Sequence, residues 1–212
     1  MPAFYHKELP AAGELGLWRI EEDESYFLDR LELFPSEIRQ LSEMKGRRRL
    51  EWLASRWLLH EMSGRALRGA CLKDSFGKPH LTDSTFEISI SHSNGTVAVM
   101  AAPYSIGVDL QKEVAKIERI APKFMRAVES ASMVPETKIP HLHLYWGAKE
   151  ALYKAYGRKE LGFRQHLHVN PFKFDLNVGR ATGAIHKASY HAYYDIFYER
   201  VRDYYLVWVS EK

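Results

Sequence analysis

The sequence of 212 residues contains a single cysteine, Cys71, and no apolar run near the roughly 20 residues of a membrane-spanning helix. An internal disulfide and a multi-cysteine metal site are therefore excluded. Charge of one sign is not in large excess: the net charge of +3 gives no general reason to expect nucleic-acid binding. The N-terminal stretch MPAFYHKELPAAGELG lacks the apolar core of a secretory signal. Together these features predict a cytoplasmic protein that binds neither nucleic acid nor membrane.

What remains has the composition of a globular protein, with 46% hydrophobic and 13% aromatic residues. Residues 45–64 repeat apolar side chains at helical spacing and predict an amphipathic helix that ends at Gly64. Residues 86–102 alternate in the manner of strands, and Asn94-Gly95 in their middle predicts a hairpin. Further along, the patterns predict a strand at 105–110, helices at 118–133 and 141–156, and two C-terminal strands around a turn near 199–203.

The order of these elements predicts an α+β fold made of two similar halves, each a small, mostly antiparallel sheet packed on helices. We place the halves at residues 1–103 and 104–212. Sequence identity between the halves is not visible, so this symmetry rests on the order of elements alone.

The helix that contains YWGAKEALYKAYG carries Glu150 and Lys154 four residues apart, so both side chains project from one face. One interpretation is an ordinary solvated pair, worth about 0.2–0.5 kcal/mol. The other is a helix face that holds a metal and a phosphate, which needs a second carboxylate. Asp109 in SIGVDL can supply it, because an acid among buried apolar neighbours needs a partner such as a metal or a base. An isolated strand-end aspartate is the alternative.

These two segments resemble the hallmarks of the 4′-phosphopantetheinyl transferase superfamily, a G-[IV]-D strand followed by a W-x-x-K-E-[AS]-x-x-K helix. Here they read Gly107-Val108-Asp109 and WGAKEALYK, from Trp146 to Lys154. The segments FGKPHL, FEISISHS and KELGFRQHLHV agree as well, so the resemblance spans about residues 76–169. The length is similar to that of the larger, single-chain members, which look like two fused copies of a smaller α+β unit and act as monomers.

The resemblance implies an enzyme that transfers the 4′-phosphopantetheine arm of coenzyme A to a serine of an apo acyl or peptidyl carrier protein, with Mg²⁺. It implies that Asp109 and Glu150 are the Mg²⁺ ligands and that Lys154 contacts the pyrophosphate. Glu150 and Glu129 are both candidates for the general base. Many larger members have a second acid where Gln111 stands. Its carbonyl oxygen can accept a metal or a metal-bound water but carries no charge, so we expect weaker metal binding.

For coenzyme A, the resemblance implies contacts from Ser91 and His92 at the end of FEISISHS and from Lys78 in FGKPHL. Arg49 and Arg56 are seven residues apart on one face of the first long helix, and guanidinium groups suit the 3′-phosphate of coenzyme A. The alternative for such arginines is a solvated basic end of a helix.

Carrier proteins are typically acidic, so a basic face with apolar edges is expected to bind them. We place this face at residues 115–140, which include Lys116, Arg119, Lys123 and Arg126, with Met125 expected to be exposed. A catalytically degenerate module that binds coenzyme A or a carrier protein without turnover is the alternative function, and the neutral Gln111 is its main support.

Overall fold

A computed structural model describes residues 3–212, and the chain divides into two compact units, Met1–Tyr104 and Ser105–Lys212. Each unit combines one antiparallel sheet with helices, which confirms the predicted α+β fold. Among the described residues, every helix is too short or too polar to cross a membrane.

The first unit is built on a six-stranded sheet, counted over the described residues. Its strands are β1 Ala3–Leu9, β2 Gly13–Arg19, β3 Cys71–Lys73, β4 Pro79–Leu81, β5 Glu87–Ser93 and β6 Thr96–Ala102, and its helices are α1 Glu24–Leu28, α2 Pro35–Ser42 and α3 Arg47–Ser63. The strand order is β1-β2-β6-β5-β4-β3, and the long helix α3 packs its apolar face on the sheet. The predicted helix is confirmed, and Gly64 ends it with a positive φ. The predicted hairpin is also confirmed as β5 and β6, with positive φ at Asn94 and Gly95.

The second unit has a five-stranded sheet in the order β7-β11-β10-β9-β8. Its strands are β7 Ile106–Lys112, β8 Leu167–Val169, β9 Val178–Lys187, β10 Tyr190–Val201 and β11 Tyr204–Glu211, and its helices are α4 Ile117–Phe124, α5 Ala127–Ala131 and α6 Lys138–Tyr156. The helix α6 lies across the sheet and supplies Leu142, Tyr145 and Leu152 to the core. Strand β7, helix α6 and the two C-terminal strands confirm the sequence predictions.

The helix predicted at residues 118–133 is instead two short helices. Met125 and Arg126 between α4 and α5 have extended backbones, and Pro122 inside α4 lacks the N–H that a continuous helix needs. The chain turns at Met125, whose side chain is buried with 4% exposure, so the expectation that Met125 is exposed was wrong. Its side chain belongs to the core of the second unit.

The backbones of α6 and β7 approach each other very closely at Gly107. A Cβ atom at this position would collide with the main-chain carbonyl of Ala151 on α6. Because only glycine leaves this space, Gly107 sets how near the helix lies to the strand. The glycine of the Gly107-Val108-Asp109 motif therefore acts through packing, and Asp109 follows two residues later on the same strand.

We predict that Gly107→Ala lowers the free energy of unfolding by about 1–3 kcal/mol or more, because a backbone carbonyl cannot move as a flexible side chain can. Urea unfolding at neutral pH measures this change. Gly162→Ala is the matched control in the same unit, since a Cβ there meets only the side chain of Gln165. Equal stability of the two variants would show that α6 does not depend on close contact with β7.

Candidate active site

Asp109 and Lys154 form the centre of a charged group on the facing sides of β7 and α6. The Asp109 carboxylate is 7% exposed, and Lys154 Nζ donates to its Oδ1 at 2.9 Å and to the carbonyl oxygen of Val108 at 2.8 Å. Lys154 is therefore held by the strand, in addition to its position one turn after Glu150. An ammonium group has three N–H donors, so this lysine keeps a donor for a further ligand.

Glu150 lies beside this pair, and its carboxylate accepts no hydrogen bond from any residue in the part of the chain that the structure describes. The pKa of Glu150 is raised from 4.5 to about 7: burial is the largest cause, the Asp109 charge also raises it, and Lys154 opposes the shift. The two carboxylates are thus close enough to repel each other with only one lysine to neutralise them. Such a pair favours a bound cation.

The donor set fits Mg²⁺ better than a metal that needs many protein ligands. Within residues 3–212, no group of three or more His, Cys, Asp or Glu side chains is arranged to hold a metal ion. Mg²⁺ usually takes one or two carboxylates and completes its coordination with waters and substrate phosphates. Asp109 and Glu150 provide those two carboxylates.

Gln111, the third predicted ligand, lies next to Asp109 but turns its amide nitrogen towards it. Gln111 Nε2 is 3.2 Å from Asp109 Oδ2, and Gln111 Oε1 is 2.7 Å from Nδ1 of His143 on α6. The carbonyl oxygen that could ligate a metal is therefore bonded to His143 in this arrangement.

Glu129 is fully buried, and its carboxylate is hydrogen-bonded to residues that hold neighbouring elements together. Its carboxylate is 0% exposed and accepts hydrogen bonds from the backbone N–H groups of Arg126 and Val169, at 2.8 and 3.1 Å. Lys149, also 0% exposed, completes a buried ion pair with it at 2.8 Å and donates to the carbonyl of Phe124. Burial lowers the pKa of Lys149, and the Glu129 charge opposes that shift. This pair connects α6 with α5 and β8.

The predicted coenzyme A residues of the first unit differ in accessibility. Arg56 is 3% exposed, lies 4.0 Å above the Trp52 ring and donates to the carbonyl of Cys71, so its guanidinium is enclosed in the core. Arg49 is one-quarter exposed and pairs with Glu24. Lys78 is mostly buried and pairs with Glu87 at 2.6 Å.

Ser91 and His92 are adjacent on β5 and point to opposite faces of the sheet. Ser91 is buried, whereas the side chain of His92 is 56% exposed and lies 3.1 Å from Glu51. Glu51 also pairs with Arg47 at 3.5 Å. Of the two residues, only His92 presents its polar atoms to the outside.

Three residues of this environment escaped the sequence analysis: His143, Lys149 and Glu51. The contacts of His143 with Gln111, of Lys149 with Glu129 and of Glu51 with His92 each join residues far apart in sequence, so helical spacing gave no signal for them. Lys149 could have been suspected, because its position borders the apolar arc of α6 and a charge there needs a buried partner.

We predict that Glu150→Gln stabilises the metal-free protein at pH 8 by about 1–2 kcal/mol. The folded state holds the Glu150 proton up to a pKa of about 7 and the unfolded state only up to about 4.5, so the wild type loses stability as pH rises between these values. The gain should shrink towards pH 5. Urea unfolding in EDTA at both pH values measures it, and Glu136→Gln, at an exposed position, is the control. A variant less stable than wild type at pH 8 would contradict the proposed repulsion.

The comparisons with known proteins bear on the unit that contains this group. The family model of the 4′-phosphopantetheinyl transferase superfamily matches residues 105–208, nearly all of the second unit. No curated protein matches the chain. The matched range includes Asp109, Glu150 and Lys154 together with the elements that position them. The second unit of the chain thus belongs to the 4′-phosphopantetheinyl transferase superfamily.

Proposed function

We propose that the protein transfers the 4′-phosphopantetheine arm of coenzyme A to a serine of an apo acyl or peptidyl carrier protein, in a Mg²⁺-dependent reaction. The observation that carries this proposal is the pair of interacting carboxylates, Asp109 and Glu150, with Lys154 bonded between strand and helix. We further propose that it acts as a monomer in the cytoplasm, which a single buried cysteine fits.

Asp109 and Glu150 would hold Mg²⁺, which when bound would neutralise the pyrophosphate charge as it develops on the leaving group. Lys154 keeps its ammonium at the same place through Asp109 Oδ1 and the Val108 carbonyl, so its remaining N–H can donate to a phosphate oxygen. The reaction needs such positioned charges more than it needs covalent chemistry from the protein.

We assign the proton-accepting role to Glu150 rather than Glu129. The Glu129 carboxylate is closed off by Lys149 and two backbone N–H groups and has no exposed surface. A general base must come within hydrogen-bond reach of the hydroxyl or of one bridging water. The Glu150 carboxylate has no donor of its own among the described residues, so it is the group that can accept that proton.

For coenzyme A, we propose contacts from His92, Arg49 and Lys78, and a supporting role for Arg56. His92 has the most exposed side chain of the set, and Arg49 keeps part of its guanidinium exposed beside Glu24. The two terminal guanidinium nitrogens of Arg56 donate to the Ser55 hydroxyl and the Cys71 carbonyl inside the core. Arg56 therefore fixes α3 against the sheet and reaches no phosphate in this conformation.

We predict that Glu150→Ala and Lys154→Met each lower transfer by at least about 100-fold. The first removes a proposed Mg²⁺ ligand and proton acceptor, and the second removes the ammonium proposed to donate to a phosphate oxygen. The assay incubates apo acyl carrier protein with coenzyme A and Mg²⁺ and detects the added arm by mass spectrometry. Glu136→Gln, at an exposed position, is the control for a surface charge change.

Two outcomes would oppose the proposal. Normal transfer by Glu150→Ala would show that the site formed by Asp109, Glu150 and Lys154 does not take part in the reaction. Tight binding of coenzyme A by the wild type without any gain in carrier mass would instead indicate a binding module, the alternative that Gln111 suggested.

The proposed carrier-protein surface is formed by residues 115–140, where Lys116, just before α4, and Arg119 and Lys123, on α4, are exposed. Val114, before α4, and Val128, on α5, are exposed apolar residues near these cations in sequence, 39% and 50% exposed. The buried Met125 contributes no contact. Cations with apolar edges suit an acidic helical partner.

We predict that Arg119→Glu raises the KM for the carrier protein about 3- to 10-fold with little change in kcat, because a rim charge acts on encounter and not on chemistry. The increase should become smaller in high salt. Lys173→Glu, in the same unit but outside residues 115–140, controls for net charge. A KM that does not change would place docking elsewhere.

A further inference from the structure

His143 and Gln111 make a chain of hydrogen bonds that ends on the Asp109 carboxylate. His143 Nδ1 is 2.7 Å from Gln111 Oε1, and Gln111 Nε2 is 3.2 Å from Asp109 Oδ2. The same nitrogen is 3.1 Å from the backbone carbonyl oxygen of His143. Both hydrogens of the Gln111 amide and its oxygen therefore have partners.

The partners fix which way the Gln111 amide points. Asp109 and the His143 carbonyl are acceptors only, so the atom that faces both must be the NH₂ group. Rotating the amide by half a turn would place Oε1 against two acceptors and leave the His143 donor facing an NH₂. The orientation thus follows from hydrogen-bond complementarity.

The contacts of the other ring nitrogen bear on the tautomer of His143. Nε2 is 2.9 Å from the backbone nitrogen of Val114, whose N–H donates to it, and 3.2 Å from the carbonyl oxygen of Val114. The shorter contact makes Nε2 an acceptor, and the 2.7 Å contact of Nδ1 with Gln111 Oε1, an acceptor, assigns the proton to Nδ1. The ring is 1% exposed and stacks on Tyr205, with centroids 5.6 Å apart. Burial lowers the pKa of His143, which favours this neutral form. The donor therefore points at Gln111 Oε1.

The helix leaves room for this arrangement at Gly147. A Cβ atom there would come within 2.8 Å of Gln111 Nε2 and of Val207 Cγ2. The absence of a side chain at Gly147 lets the Gln111 amide lie flat between β7 and α6, one turn after His143. Gly147 thus leaves the space between α6 and β7 that the Gln111 side chain occupies.

We propose that His143 is a positioning residue which, through Gln111, orients the Asp109 carboxylate for a divalent cation, and that Gln111 is a donor to that carboxylate and not a metal ligand. This inference rests on the proposed function, since it concerns the same cation site. Residues that orient a metal-binding carboxylate typically change metal affinity about 10- to 100-fold when they are replaced.

Two replacements of His143 separate its two hydrogen bonds. His143→Asn places a side-chain N–H at the position of Nδ1, so it keeps the donor to Gln111 and loses the acceptor for Val114. His143→Gln places an oxygen near the position of Nε2, so it keeps the acceptor for Val114 and loses the donor to Gln111. The pair is matched, because each variant loses one bond of the same side chain.

The measurement is Mn²⁺ affinity by electron paramagnetic resonance, in the presence of coenzyme A and without carrier protein, with the melting temperature recorded for each variant. We expect His143→Asn to bind within about threefold of wild type and His143→Gln to bind about 10-fold more weakly. The reverse order, or affinities that follow only the melting temperature, would assign His143 a purely structural role.

A second variant tests the route through Gln111. Gln111→Leu should weaken Mn²⁺ binding about as much as His143→Gln, and the double variant should be no weaker, because both remove one chain of bonds. Additive losses would overturn the proposal. A wild type that binds no Mn²⁺ with coenzyme A would refute the proposed function as well, whereas normal wild-type binding with unaffected variants would refute this inference alone.

Discussion

The contact between α6 and β7 at Gly107 is the constraint on which the site depends. The two elements carry their acids far apart in sequence, and only a close approach of the two backbones brings the charges of Asp109 and Glu150 into interaction. Any side chain at Gly107 would push the helix away from the strand at Ala151. A small residue in the core thus controls the distance between two charged residues that it does not touch.

The same closeness makes the site unfavourable for folding in the absence of a cation. Burial and, after it, repulsion by the Asp109 charge raise the pKa of Glu150, and the two carboxylates share one ammonium group. Proteins commonly accept such local strain where charge is needed for function. The neighbouring Glu129–Lys149 pair shows the opposite solution, because there each charge is fully buried and each has its partner. Helix α6 thus carries one charged residue that is paired inside the core, Lys149, and two that belong to the candidate site, Glu150 and Lys154.

The sequence allowed the main elements and the acids of the site to be predicted because their signals are local. Each of these signals spans only a few neighbouring residues. They are the glycine two residues before Asp109, the helical spacing of Glu150 and Lys154, and the Asn94-Gly95 turn. Strands β1 and β2 were not predicted from the sequence: β2 contains Gly13 and Gly16, and Pro10 lies between the two strands. Arg56 was read as a phosphate ligand because its helix face was visible in the sequence, but the Trp52 ring and Cys71 carbonyl that enclose it were not.

Gln111 shows how one neutral side chain changes the charge of the whole group. Asp109, Glu150 and Lys154 together leave one net negative charge, so a divalent cation held there would leave one net positive charge for the pyrophosphate. A third carboxylate at position 111 would cancel that charge, strengthening the hold on the cation while weakening the attraction for the anionic substrate. It would also replace the donor that now meets Asp109 with a second acceptor, so the His143–Gln111–Asp109 chain could not form in its present sense. Under the proposed function, the amide would therefore favour attraction of the anionic substrate over metal affinity. The hydrogen bonds from His143 through Gln111 would compensate by holding the Asp109 carboxylate in place.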